Sequence, residues 1–183
     1  MVSVTKYPTE VAQWEDEGGD TEWLNPDYIK ADDANWCTNN LNVDGKSWVL
    51  EATHYDFAIP TDATIDGIQV DLFRLETLDR DTILDISATL LKAGVTTGNN
   101  YHNEDYWGSD PDRNKILYGN AWGTDKWGTT WTPAQINADG FGFQIYAYTE
   151  FDASALAQIN YIKITVYYTA AAVTYTAVIY SQQ

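Results

Sequence analysis

The chain has 183 residues, a formal net charge of −17 and a single cysteine. This length suits one domain with a core of its own, and the lone Cys37 excludes an intrachain disulfide framework. The excess of acidic residues disfavours nucleic acid and anionic membrane surfaces as partners, because both are negatively charged. Neither a signal peptide nor an apolar stretch of membrane-spanning length is apparent, so we expect production in the cytoplasm.

Apolar and polar residues alternate with a period of two through most of the chain, which is typical of half-buried strands. A first strand is expected within residues 47–58, followed by strands at 65–77 and 83–92. Because the segment between the last two is short and polar, we expect them to form an antiparallel hairpin. The core-facing side of the strand at 83–92 is expected to hold Leu84, Ile86, Ala88 and Leu90.

One short helical turn is predicted at residues 132–137. Thr132 supplies an N-cap hydroxyl, and Pro133 suits the first helical position. No other window combines helical spacing with caps, so this turn is expected to be the only helix of note. Strands are then expected at residues 141–149 and 161–168, where β-branched and aromatic residues alternate in the same way.

Antiparallel strands without crossover helices predict two packed sheets, because one sheet alone leaves an apolar face uncovered. The expected fold is all-β: an antiparallel two-sheet β-sandwich, jelly-roll-like, of about seven or eight strands with one short helical turn. Residues 1–20 are expected to form an N-terminal arm. Residues 21–169 are expected to form the sandwich domain, and residues 170–183 a C-terminal strand extension.

The side chains that support nucleophilic catalysis are few in this sequence. Cys37, His54 and His102 are its cysteine and histidines, and none lies in a recognisable catalytic motif. Nucleophilic catalysis requires a nucleophile, a base and an orienting group within hydrogen-bond reach. We therefore expect no enzymatic activity and no organic cofactor. A pair of carboxylates in a cleft, as in a glycosidase, is the enzymatic alternative.

Among metals, calcium is a better candidate than zinc, because the loops carry carboxylates and the chain has no Cys/His cluster. None of these carboxylates follows the spacing of a calcium-binding loop. Solvated turn residues are therefore the alternative interpretation. The calcium candidates are Asp79, Asp81, Asp105 and Asp110.

Aromatic residues are abundant, with eight Trp and thirteen Tyr. Aromatic rings at the rim of a β-sandwich can stack on sugars or anchor protein interfaces. The indoles of Trp122, Trp127 and Trp131 can instead attach their own loop to the sheets. The candidate ligand or partner contacts are Tyr101, Tyr106, Trp107 and Trp122.

Five segments carry a resemblance to a known family. They are NPD with ADD in residues 25–33, FAIPTDATIDGI at 57–68, WGTTWTPAQIN at 127–137, FGF at 141–143 and YIKITVYYT at 161–169. In this order they resemble a family of β-sandwich proteins encoded among the virion genes of tailed bacteriophages and related viruses. The resemblance implies a virion structural protein, either a capsid decoration (cement) protein or a tail-associated surface component. It implies no catalytic residues.

The leading hypothesis is thus a structural protein located in the virion and made in the host cytoplasm. Its expected partners are copies of itself and other virion proteins, with no nucleic acid and no membrane. The alternative is a carbohydrate-binding or receptor-binding β-sandwich module, in which case a glycan is a partner as well.

The C-terminal part of the sequence is uncharged, since residues 164–183 contain no Asp, Glu, Lys or Arg. An uncharged strand left at a sheet edge invites pairing with another chain. After a small-residue hinge at residues 170–172, we expect an assembly strand that pairs with a neighbouring subunit. Folding back onto its own sheet is the alternative. The alternating positions of this assembly strand are Val173, Tyr175, Ala177 and Ile179.

Overall fold

The structure, a computed structural model, describes residues 1–16, 18–77, 82–110, 115–150 and 154–172. Two antiparallel sheets pack against each other, which confirms the predicted all-β sandwich. The described residues form the elements β1 (Val2–Lys6), β2 (Glu10–Trp14), β3 (Cys37–Leu41), β4 (Val49–Thr53), β5 (Thr64–Glu76), β6 (Ile83–Lys92), β7 (Val95–Thr97), β8 (Lys115–Tyr118), α1 (Pro133–Ile136), β9 (Gly142–Thr149) and β10 (Ala155–Thr169).

The strand order is that of a jelly roll. In the first sheet, β3, β10, β5 and β8 are neighbours in that order, and the second sheet runs β4, β9, β6, β7. These eight strands match the double-sheet arrangement of two Greek keys, in which strands that follow each other in the chain mostly lie in opposite sheets. The jelly-roll prediction is therefore confirmed.

Two further strands come from the segment that was expected to be an N-terminal arm. β1 pairs with the C-terminal half of β10, and β3 pairs with its N-terminal half, so the two share one side of that long strand. β2 pairs with β4 at the edge of the second sheet. The first residues of the chain thus add one edge strand to each sheet.

The predicted hairpin of β5 and β6 is wrong. β5 pairs with β10 on one side and with β8 on the other, whereas β6 pairs with β7 and β9 in the opposite sheet. Both edges of β5 are therefore occupied, and the connection after Glu76 crosses from one sheet to the other. A short polar connection is compatible with either geometry, so its composition did not distinguish them.

The inward face of β6 also differs from the predicted one. A register shift between Asp85 and Ser87 changes which residues face the core. Ala88 and Leu90 are buried as expected, but Leu84 and Ile86 are only half-buried. A β-bulge of this kind reverses the alternation of a strand on one side of it. Asp85, predicted to face outward, is consequently buried.

A buried ion pair joins the two sheets at this bulge. Arg74 of β5 and Asp85 of β6 are both almost fully buried, and the Arg74 guanidinium binds the Asp85 carboxylate. Burial lowers the pKa of Arg74, because desolvation disfavours its charged form. The same carboxylate accepts hydrogen bonds from Trp107 Nε1 at 2.7 Å and from the Tyr118 hydroxyl at 2.6 Å. The pair therefore connects both sheets and two further segments of the chain.

Glu76 extends this buried polar group at the end of β5. Its carboxylate accepts hydrogen bonds from the backbone N–H and the hydroxyl of Thr82, at 2.9 and 3.0 Å. These bonds attach Thr82, the residue before β6, to the end of β5. Such bonds matter because a buried carboxylate without partners is strongly destabilising.

The predicted helical turn is present as α1. Thr132 caps it in a capping box with Gln135, and Pro133 occupies the first turn, as the sequence indicated. One helical element was missed: a 3-10 helix at Pro26–Lys30. Its N-cap residue, Asn25, is left-handed and makes no side-chain cap bond, although Asn25 and Pro26 are the residue types expected at a helix start. No helix among the described residues is long and apolar enough to cross a membrane.

The ion pairs of this fold provide a matched test of burial. Arg74→Ala leaves the Asp85 carboxylate buried without its cation, which is expected to lower the free energy of unfolding by about 4 kcal/mol. Lys30→Ala removes the solvent-exposed Lys30–Asp27 pair, in which 2.6 Å separates Nζ from Oδ1. This substitution is expected to change the free energy of unfolding by less than about 0.5 kcal/mol. Urea unfolding monitored by tryptophan fluorescence measures both. Similar losses in the two variants would contradict the structural role of the buried pair.

Candidate functional site

The four aromatic residues predicted to contact a ligand or partner have very different exposures. The Trp122 side chain is 82% exposed and Tyr106 is 37% exposed. Tyr101 is half-buried, whereas Trp107 is completely buried. Only Trp122 therefore presents a whole ring to solvent.

The prediction that Trp107 contacts a ligand or partner is wrong. Its indole N–H donates to Asp85, its ring lies 5.3 Å from the Arg74 guanidinium, and its backbone N–H donates to the Ile83 carbonyl. An indole can be buried at little cost when its one donor is satisfied in this way. Trp107 thus anchors the loop after β7 to the core. Its polar sequence context did not indicate that the side chain would be buried.

Tyr101 lies beside a surface depression of about 460 Å³ that also involves Glu104, Leu117 and Asp125. Its ring packs on the buried Trp127 with 4.7 Å between centroids, and its hydroxyl lies 3.2 Å from Asp125 Oδ1. The polar groups of this tyrosine are already engaged within the protein. Its role in the structure is to hold two loops together.

Trp122 lies at the end of the first sheet where β10 finishes. The neighbouring Gly123 packs directly against the ring of Tyr167, and the hydroxyl of that tyrosine donates to Gln69. Val2, at the start of β1, is opposite Tyr168 and is 48% exposed. This end of the sheet therefore displays apolar side chains from two separate parts of the chain.

The outer edge of β1 completes this surface. β1 is hydrogen-bonded to β10 on one side, and no other described strand pairs with it. We call the outer edge of β1, together with Met1, Val2 and Trp122, the β1-end surface. An unpaired strand edge offers a row of backbone donors and acceptors to another chain.

The predicted assembly strand adjoins this surface in the sequence but lies outside the described residues. β10 ends at Thr169, opposite Thr64 and next to the Tyr168–Val2 pair, and the description continues to Ala172. The chain thus leaves the sandwich beside β1. Val173, Tyr175, Ala177 and Ile179 follow within a few residues.

The calcium candidates are not brought together by the part of the fold that is described. Asp79 and Asp81 lie outside the described residues. The Asp105 backbone carbonyl accepts a hydrogen bond from Arg74, and the Asp105 backbone N–H donates to Asn103. Within the described ranges, no three His, Cys, Asp or Glu residues are grouped to hold a metal ion, Asp105 and Asp110 included. Calcium binding stays a prediction.

The residues considered for nucleophilic chemistry lie in unrelated positions. Cys37 is buried on β3, and burial raises the pKa of its thiol, which disfavours the reactive thiolate. His54 follows β4, with Nε2 3.8 Å from Asp139 Oδ2. His102 lines the depression beside Tyr101. None of the three is hydrogen-bonded to another, so they do not form a relay.

The chain matches no protein-family model, no curated protein and no solved structure. The assignment to virion structural proteins therefore stays a prediction.

Two glycines that flank β7 test how tightly the loop after this strand is held. Gly94 and Gly98 have similar left-handed φ values of +75° and +81°, but a Cβ at Gly98 would lie 2.0 Å from the Trp127 carbonyl oxygen, whereas one at Gly94 meets no atom within 4 Å. We expect Gly94→Ala to lower the free energy of unfolding by about 1 kcal/mol and Gly98→Ala by about 3 kcal/mol. Thermal and urea unfolding measure the difference. Equal losses would show that the loop moves freely away from Trp127.

Proposed function

We propose that the chain is a structural component of a virus particle, without catalytic activity or organic cofactor, that works by assembling with copies of itself and with other particle proteins. The observation that carries the proposal is the outer edge of β1, which pairs with no other described strand and lies beside the point where the chain leaves β10. The resemblance to virion β-sandwich proteins supports the particle as its location. A capsid decoration protein and a tail-associated component both fit this role.

The uncharged C-terminal segment matches that edge in chemistry. Residues 173–183 carry no charge in a chain that is 20% charged, and their β-branched and aromatic residues favour an extended conformation. Eleven extended residues span about 36 Å, which is longer than the five residues of β1 need. The segment of one copy can therefore lie along β1 of the next by β-augmentation.

The exposed Trp122 is a natural anchor for such a contact. Tryptophan is enriched among the residues that dominate binding energy at protein interfaces, and this ring is 82% exposed at the same end of the first sheet. The turn that contains it is closed by the Asn120 side chain, whose amide oxygen accepts from the Thr124 N–H at 3.1 Å. A ring presented by an ordered turn loses little conformational entropy on binding.

The high negative charge limits the kinds of contact through which copies of the chain can associate. With a net charge of −17, copies of the chain repel one another at low salt. Main-chain pairing along an uncharged strand avoids adding to this repulsion. We therefore expect association to strengthen as salt increases, because screening weakens the repulsion between like charges.

Deleting residues 173–183 tests the assembly strand. The full chain is expected to associate, and the shortened chain is expected to be monomeric with a Tm changed by no more than about 4 °C, since a complete sandwich does not depend on the segment. Size-exclusion chromatography with light scattering and differential scanning calorimetry measure the two properties. Intact association with a large loss of Tm would show instead that the segment pairs within its own sheet.

Two lysine substitutions test whether association depends on the edge of β1 in particular or on any exposed strand edge. Ser3→Lys places a charge on the exposed side of β1 and is expected to weaken association, because lysine on an edge strand opposes pairing. Val95→Lys places the same charge on β7, one of the two edge strands of the second sheet, and is expected to leave association unchanged. Equal effects would contradict the choice of β1.

A further inference from the structure

The outer face of the second sheet carries a groove of about 470 Å³ that sequence reasoning did not anticipate. β6 and β9 form its floor, with Ser87, Thr89 and Gln144 each less than 10% exposed. Trp14 of the edge strand β2 and Val95 of the edge strand β7 line it as well, and they are 39% and 63% exposed. The groove therefore runs between the two edges of the sheet, with a deep polar floor and apolar sides.

The polar groups of the floor have no partners within the described residues. The hydroxyls of Ser87 and Thr89 and the side-chain amide of Gln144 take part in none of the side-chain hydrogen bonds of this part of the chain, and the Thr89 oxygen is fully buried. An unpaired buried polar group costs about 1–3 kcal/mol. Of these three residues, only Thr89 has its polar atom closed off from solvent, so the Ser87 hydroxyl and the Gln144 amide are the groups that can pair with a ligand or with water in the groove.

The pairing of the strands places these groups side by side. Thr89 is directly opposite Gln144, Ser87 is opposite Tyr146, and Gln144 is in turn opposite Glu51 of β4. The result is a row of a carboxylate, an amide and a hydroxyl across three strands. Burial raises the pKa of the Glu51 carboxyl through desolvation. The Gln144 amide and the nearby Ser87 hydroxyl offer donors and acceptors to the groove, whereas the Thr89 oxygen is closed off from solvent.

Aromatic rings border this polar row. Trp14 is opposite the buried Val49, and Tyr146 lines the same groove. The Lys46 ammonium lies 4.3 Å from the centroid of the Tyr146 ring and 3.1 Å from Asp16 Oδ2, so its charge is balanced at the rim. The groove therefore combines apolar ring surfaces with largely uncharged hydrogen-bonding groups.

We propose that this groove binds a neutral carbohydrate chain. Sugar hydroxyls donate and accept hydrogen bonds, which matches the Gln144 amide and the Ser87 hydroxyl of the floor, and the apolar faces of sugar rings pack on aromatic side chains such as Trp14. An anionic sugar is opposed by Glu51 and by the net charge of the whole chain. Fixed polar groups among aromatic walls are the general pattern of small-molecule sites.

The depression beside Tyr101 is a weaker candidate for the same ligand. There the tyrosine hydroxyl is engaged with Asp125, and the Asn103 backbone N–H with Asp85. A ligand at that place competes with hydrogen bonds that already exist within the protein. In the second-sheet groove, the Ser87 hydroxyl and the Gln144 amide make no such bonds within the described residues. The carbohydrate site is therefore assigned to the second sheet, away from all four aromatic residues that the sequence suggested.

A titration of the full ¹⁵N-labelled chain tests this assignment. The probes are neutral oligosaccharides of glucose, mannose, galactose and N-acetylglucosamine, added to millimolar concentration. At least one is expected to shift the indole N–H signal of Trp14 and the side-chain amide signal of Gln144. Trp14→Ala and Gln144→Leu are each expected to weaken its binding about tenfold, equivalent to the loss of one good interaction.

Trp122→Ala is the matched control, because it removes an exposed indole from the other sheet and is expected to change the affinity less than about twofold. The proposal is overturned if no oligosaccharide of the panel shifts these signals, if Trp122→Ala weakens binding as much as Trp14→Ala, or if only a lysine-rich peptide binds the groove. Binding is also expected to persist after deletion of residues 173–183. The experiments therefore test the carbohydrate site and the assembly strand independently.

Discussion

The structure depends on one buried ion pair that spans the two sheets. Arg74 comes from the first sheet and Asp85 from the second, at the point where the chain crosses between them. Two charges are brought out of water together, which is favourable only when their remaining hydrogen-bonding capacity is filled. Trp107, Tyr118 and the Asn103 backbone fill that of the carboxylate, and Arg74 donates to the Asp105 carbonyl, although its Nε has no hydrogen-bond partner among the described residues. The described part of the loop after β7, residues 98–110, is thereby held by the core.

This anchoring explains the distribution of aromatic residues. Trp107 and Trp127 are buried with their N–H groups bonded to Asp85 and to the Ile68 carbonyl, and Trp131 is nearly buried with its N–H bonded to Lys126. These indoles attach loops to the sandwich. Trp122 and Trp14 are the exceptions, and they lie on different sheets. Exposed rings on two separate surfaces are consistent with one domain that both assembles and binds a ligand.

The two proposed surfaces are independent in structure. The β1-end surface belongs to the first sheet, and the groove is formed by strands of the second. An occupied groove therefore leaves the outer edge of β1 free for another chain. A sandwich with one sheet used for assembly keeps the outer face of the other sheet open to solvent, and this geometry suits a particle component that also contacts a glycan.

The sequence by itself determined the local features of the protein. The period of two in β9 and β10 is a property of neighbouring residues, and so is the cap that Thr132 and Pro133 give to α1. Both were predicted correctly because they depend on side-chain direction and on groups a few residues apart. The sandwich class followed from the number of such strands and the lack of crossover helices.

Only the tertiary structure decided which sheet each strand joins and where charges are buried. The connection after Glu76 is short enough for a hairpin, but β10 and β8 occupy both edges of β5, and those partners are distant in the chain. The bulge at Asp85 likewise turns a polar position inward, where Arg74 and Tyr118 bind its carboxylate. The groove of the second sheet has the same origin, since its lining comes from all five strands of that sheet, which only the fold brings together.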